Sequence, residues 1–269
     1  MLPCKFYNIK KADGNGVRTS QAPLTKTDHV QKFTIGGRAL NDTLGHLTDP
    51  AIHAALDALP ERVLRRSGSV FYTGPDAFAG PADLYILGLN PGGSPIAQAD
   101  ETVARDIEEW RQLKQSWSAY ADESWAGRVP GKFGMQARML HMFDEVGLDP
   151  RKTPASNMFF VRSEGEAQMA AEKADLMQLC WPVHAAVIDA VQVKTVLCLG
   201  GTTGNGMRAR LRADREIARW SEKNLRGWTS TAHEAENGTA VITVSHPSRA
   251  DWRNPASDPS PLIREVLRR

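Results

Sequence analysis

Four short polar turns hold the residue types in this sequence that can act chemically on a ligand: Asn90-Pro91-Gly92-Gly93, Asn157, Gly200 to Gly206, and His246-Pro247-Ser248. The Asn90 amide is a poor general base, but it can orient a water molecule; the same residue before Pro91 could equally serve an Asx-turn. His246 can supply an acid, a base or a hydrogen-bond donor, or be a satisfied polar residue after a strand. Asn157 offers a donor and an acceptor on one amide, which suits reading a polar ring edge; a strand-end turn is the plainer use. The glycine-rich turn Gly200-Gly201-Thr202-Thr203-Gly204 precedes a basic stretch expected to be helical over 207–215, and backbone N–H groups at such a start can cradle a phosphate. It lacks the Gly-Lys-Ser/Thr ending of a nucleoside-triphosphate loop.

These turns matter only if strands deliver them to one place. Residues 84–87 and 193–199 are continuous apolar runs closed by glycine, the pattern of strands buried on both faces of a parallel sheet; 156–161 and 240–244 are two further strand candidates. Between them lie helical periods: Met135, Met139, Phe143 and Val146, then Leu176, Cys180, Val183, Val187 and Val191. The alternation predicts an α/β fold, a three-layer αβα sandwich with a central, mostly parallel sheet, closed by a short helix over 261–267. Ligands gather at the carboxyl ends of the strands in such sheets, where all four polar turns fall. Residues 94–130, with many charges and Trp110, Trp117 and Trp125, read as an insertion or lid. Residues 1–80 read as an amino-terminal extension packed on the core, with one helix over 49–66.

Thirty-three basic against 31 acidic residues leave a formal charge of +2 over 269 residues, so no global basic field announces nucleic acid, and any DNA contact must be local. Cys4, Cys180 and Cys198 are scattered and odd in number, against a disulfide framework, a zinc site or an iron–sulfur cluster. No apolar leader or membrane-length run is present, and the cytoplasm is the default expectation.

Taken in order, GLNPGG after the first buried strand, SNMFFV, VLCLGG before a helix, and VSHPS near the end resemble the uracil-DNA glycosylase superfamily over residues 83–269. The Asn-Pro-Gly form resembles its mismatch-specific and single-strand-selective branches more than the Asp-Pro-Tyr branch. The resemblance implies a monofunctional, cofactor-free, metal-free monomer that flips a pyrimidine from DNA and hydrolyses its N-glycosidic bond. By that resemblance Asn90 holds the attacking water, and His246 donates to the pyrimidine O2 as charge develops there. Asn157 reads the flipped base, within a pocket formed by Gly88, Leu89, Pro91 and Gly92. Phe133 is the stacking platform, with Trp117 and Tyr120 as runners-up. Ser248, Arg249, Trp252 and Arg253 belong to the minor-groove loop, with Trp252 or Arg249 as the wedge, and Gly201 and Thr202 meet a phosphate.

Gly92-Gly93 stands where the most uracil-selective branch has a tyrosine that rejects thymine. An open wall there points to uracil or a C5-modified pyrimidine, and so to repair or to defence against modified foreign DNA. Two other readings stay open: a non-catalytic nucleic-acid or nucleotide-binding module on the same fold, and a small-molecule enzyme using the Gly200 turn.

Overall fold

The computed structural model describes residues 48–269, so Cys4 and the first 47 residues of the expected extension lie outside the described part. Six strands form one sheet in the order β2-β1-β3-β6-β5-β4: β1 Leu84–Gly88, β2 Ala155–Asn157, β3 Thr195–Leu199, β4 Arg215–Ser221, β5 Thr229–Glu234 and β6 Ala240–Val244. β2, β1, β3 and β6 run parallel, and β5 and β4 add an antiparallel hairpin at one edge. The sheet is therefore mixed, parallel through its site-bearing half.

Alternate residues of β1 serve opposite faces. Tyr85 and Leu87 enter one apolar cluster and Leu84 and Ile86 the other; Val196 and Cys198 against Leu197 and Leu199 repeat the split on β3. With both faces covered, the period-2 polar signal vanishes and the strands become the continuous apolar runs seen in the sequence. On the first face lie α1 (Pro50–Asp57), α3 (Val103–Gln112), α5 (Lys173–Ala190) and α6 (Gly201–Leu211); on the second, α4 (Gln136–Val146) and α7 (Ser260–Leu267). The short α2 (Glu61–Leu64) packs against α3.

Five local expectations need correction. The helix over 49–66 is two helices, because Pro60 lacks an N–H and disfavours helical backbone in the residue before it. Only two residues of the 156–161 region, Ser156 and Asn157, belong to a strand, as β2 with Ala155; Met158 to Val161 follow it and bury their side chains in the first cluster. The Gly200 turn is already helical from Gly201, and the basic stretch ends at Leu211 in place of 215. The β4–β5 hairpin has no counterpart in the apolar pattern, because β4 is an edge strand whose charged side chains stay largely exposed. The 94–130 segment is not a lid: α3 buries Val103, Ile107 and Trp110, and Trp110 donates its Nε1–H to the Thr73 carbonyl at 2.9 Å. Residues 50–78 likewise place Ile52, Leu56, Val63, Phe71 and Phe78 in the same core.

Among the described residues no helix is long and apolar enough to cross a membrane.

Candidate active site at the carboxyl edge of the sheet

Because β2, β1, β3 and β6 are parallel, their carboxyl ends lie along one edge, and the chain leaves β1 towards β2 but β3 towards β6. Adjacent strands whose connections diverge open a crevice between them. It falls between the Asn90 turn and Gly200, with His246 one strand further on. Neighbouring strands are about 4.8 Å apart, so the ends of β1 and β6 stand about 10 Å from each other, roughly one nucleotide across.

Gly88 pairs in register with Asn157. A Cβ on Gly88 would collide with Asn157 Oδ1, so glycine here is the space into which the carboxamide settles. Asn157 is 6% exposed, and its buried Nδ2 makes no hydrogen bond of normal geometry among the described residues, its interaction with the Tyr72 hydroxyl falling short of one. The Tyr72 hydroxyl is its polar neighbour; burial pushes that phenol up to about 12, opposed by the Asn157 side chain and Arg162. Behind Asn157, the fully buried His184 accepts from the Tyr85 hydroxyl at Nδ1 (2.9 Å) and donates from Nε2 to the Met158 carbonyl (3.2 Å). A carbonyl can only accept, so the proton is on Nε2, and burial holds the ring neutral with its pKa lowered to about 4.

Asn90 uses its Nδ2 fully, donating to the Pro91 carbonyl (2.9 Å), Ser163 Oγ (3.0 Å) and the Val161 carbonyl (3.5 Å). Those contacts set which end of the amide is which. The Oδ1 does not take the Gly92 N–H as an Asx-turn requires, and it remains an oriented acceptor. Pro91 is buried, while Leu89 packs half-buried against the first cluster. The Gly92 carbonyl accepts from Arg162, whose guanidinium also reaches Ser67 Oγ (3.0 Å) and Glu101 (2.9 Å). Gly93 has φ +107°, and a Cβ there would strike Gln98 Oε1. The Gly92-Gly93 backbone is thus packed against the Gln98 and Arg162 side chains.

His246 follows β6. Its Nδ1 accepts from the Ser248 backbone N–H (3.1 Å) and lies 2.8 Å from Ser248 Oγ. Since that N–H can only donate, the imidazole proton sits on Nε2, which is left as a donor. Burial, then the Arg249 charge, lowers its pKa to about 4, so the ring is neutral at physiological pH. Gly200, at φ +101°, lets the chain pass beside the ring: a Cβ there would lie 3.8 Å from His246 Cβ and 3.9 Å from Cδ2.

The remaining expected residues divide. Thr202 donates its hydroxyl to Glu166 (2.7 Å), which Lys173 also pairs. Lys173 first, then Thr202, holds that carboxylate below its usual range. An acidic group therefore holds the Thr202 hydroxyl at the helix start where Gly201 and Thr202 are expected to meet phosphate. Trp252 is fully buried with its Nε1–H on the Ser245 carbonyl (3.2 Å), so it braces the loop from within and is unavailable as a wedge. Ser248 and Arg249 are exposed, and Arg253 pairs with Asp251 at 2.9 Å. Phe133 sits half-buried on the second cluster with Tyr72 and Trp117, whereas Tyr120 is buried. Sequence reasoning missed Tyr72, Arg162 and Ser163. Tyr72 lies upstream of every motif, and no spacing connects it to them.

Among the described residues no group of three or more His, Cys, Asp or Glu side chains is placed to hold a metal ion. No family model matches the chain, and the search of curated proteins finds no match either.

Proposed function

We propose that this protein is a DNA N-glycosylase of the uracil-DNA glycosylase type. The observation that carries the reading is the Asn157 carboxamide, settled against Gly88 with a buried, unpartnered Nδ2. A buried donor without a partner costs about 1–3 kcal/mol. A pyrimidine edge carrying a carbonyl beside an N–H recovers that cost by accepting from Nδ2 and donating to Oδ1, as uracil O4 and N3–H do.

The reaction then needs two further groups, one on either side of the base. Asn90 Oδ1, fixed by the three contacts of its Nδ2, accepts from a water and holds it for the sugar C1′. An amide does not remove the water's proton, so the C1′–N1 bond breaks ahead of attack and the sugar becomes cationic. The electron pair passes to the base, where charge grows on O2. His246 Nε2–H, already oriented and neutral, donates to that oxygen. Water adds to C1′ and loses its proton to solvent, leaving an abasic site. Stacking of the extruded base falls to the half-buried aromatics Phe133, Trp117 or Tyr72.

Gly92 and Gly93 bring no side chain of their own to reject a group at pyrimidine C5, which favours bases substituted there as well as uracil. The test is single-turnover incubation with oligonucleotides carrying uracil, mismatched thymine or C5-modified cytosines, followed by alkaline cleavage. Abasic product that disappears in Asn90→Ala and His246→Ala supports the reading. Absence of product from every substrate, with DNA binding retained, moves the assignment to a binding module.

A further inference from the structure

The role proposed for Asn90 needs an amide whose aim is fixed, and the groups that fix it lie outside its own turn. We infer that Arg162 is a positioning residue for base release, acting through Asn90 by holding the Asn90-Pro91-Gly92 turn at both ends; the inference rests on the glycosylase reading.

The two neighbours of Arg162 in the chain take the near end. Asn90 Nδ2 donates to the Val161 carbonyl (3.5 Å) and to Ser163 Oγ (3.0 Å). Ser163 Oγ gives its single proton to the Gly165 carbonyl (3.1 Å), so towards Asn90 it can only accept. The guanidinium takes the far end. Arg162 Nη1 donates to the Gly92 carbonyl, Nη2 to Glu101 Oε2 (2.9 Å) and Nε to Ser67 Oγ (3.0 Å). Glu101 Oε2 also receives Gln98 Nε2 (2.8 Å), and Gln98 Oε1 accepts the Ser94 N–H (3.2 Å). These bonds close a ring from the Gly92 carbonyl through Arg162, Glu101 and Gln98 back to Ser94.

Packing alone does not call for an arginine here. The Arg162 side chain is 9% exposed, and an apolar side chain of similar size often stabilises a buried position as well as an ion pair does, because the pair must give up its hydration. What an apolar side chain lacks is a donor for the Gly92 carbonyl. Two successive glycines leave that turn many backbone shapes, and Gly93 is held at φ +107°. Asn90 sits two residues before Gly92, so a turn free to relax carries Oδ1 with it. A misplacement on the order of 1 Å in a group that orients a reactant lowers a rate about 100-fold. Lysine keeps the charge but not the planar fork that serves Gly92, Glu101 and Ser67 together.

The experiment measures single-turnover base release against enzyme concentration for wild type, Arg162→Lys, Arg162→Met and Arg162→Ala, the last with and without added guanidinium. NMR exchange rates of the Asn90 Nδ2 protons supply a readout independent of chemistry. The expected result is a maximal rate about 10- to 100-fold lower in Arg162→Lys and Arg162→Met, with the half-saturating enzyme concentration within about twofold of wild type. Guanidinium should restore part of the rate of Arg162→Ala, and the Asn90 protons should exchange at least about tenfold faster in Arg162→Lys. Val187→Ala, which opens the core on α5 away from the ring, should keep the wild-type maximal rate. An unchanged maximal rate in Arg162→Met, a loss confined to half-saturation, or an equal loss in Val187→Ala overturns the assignment. If wild type releases no base from any substrate, the glycosylase reading falls, and proton exchange alone decides: faster exchange in Arg162→Lys upholds Arg162 as the holder of Asn90, and equal exchange rejects it.

Discussion

At the scale of single residues, the site works by committing one end of each polar group to the protein and leaving the other. Asn90 commits its Nδ2 and His246 its Nδ1. On the proposed glycosylase reading, Asn90→Ala should lower base release roughly 100- to 1000-fold. Asn90→Asp should not rescue it despite being a stronger base, because the new carboxylate would face the Pro91 and Val161 carbonyls; single-turnover rates of both variants check this. Asn157→Asp removes the buried donor, so release of a base with a carbonyl at C4 should fall at least about tenfold relative to one with an amino group there, measured by direct competition. The pH dependence follows from His246. Its folded pKa lies at about 4, so the ring is neutral from pH 6 to 8 and the rate should be flat there. On acidification through about 4 the ring gains a proton at Nδ1, can no longer accept the Ser248 N–H, and the rate should fall. Arg249 is one cause of the depressed value, so Arg249→Ala should move that limb to higher pH in a rate–pH profile.

At the scale of elements, close approach of backbone is what brings the turns together. α6 packs on β6 through Gly204, where a Cβ would stand 2.7 Å from Thr243 Cβ and nearer still to Oγ1 and Cγ2. Alanine is ordinarily better than glycine inside a helix by about 1 kcal/mol. Gly204→Ala should nonetheless destabilise the protein by about 1–3 kcal/mol in urea unfolding, since overpacking outweighs propensity. The buried strands β1, β3 and β6 and the long helices α4 and α5 were legible from the sequence, because apolar runs and 3.6-residue periods record burial directly. The β4–β5 hairpin was not, as an exposed edge strand carries Arg215, Glu216 and Arg219 where a buried one would carry valine. Nor was the short reach of β2: Met158, Phe159, Phe160 and Val161 are as apolar as any strand, but all four bury in the one cluster beyond the end of β2.

At the scale of the whole molecule, a formal charge of +2 makes any DNA affinity the work of a few cations on one face. Arg226 and Arg138 are already paired with Glu222 and Asp251, so beside the His246 loop the exposed Arg249 is the cation to test: the logarithm of any DNA-binding constant should fall only shallowly with the logarithm of salt, and Arg249→Ala should reduce the slope by about one. A titration of fluorescent oligonucleotide between low and moderate salt measures it. The sequence by itself determined the α/β class, the positions of the buried strands and the polar turns that end them, since these depend on local periodicity and on what glycine, proline and asparagine do to a chain. Only the tertiary structure decided that Tyr72 stands beside Asn157, that Asn90 and His246 each have one nitrogen spoken for, that Trp252 is internal and Leu225 external, and that Glu166 holds the Thr202 hydroxyl. Apart from the local His246–Ser248 contact, those outcomes depend on which distant segments meet. Meetings between residues 80 or more positions apart, such as Tyr72 with Asn157, leave no periodic trace along the chain.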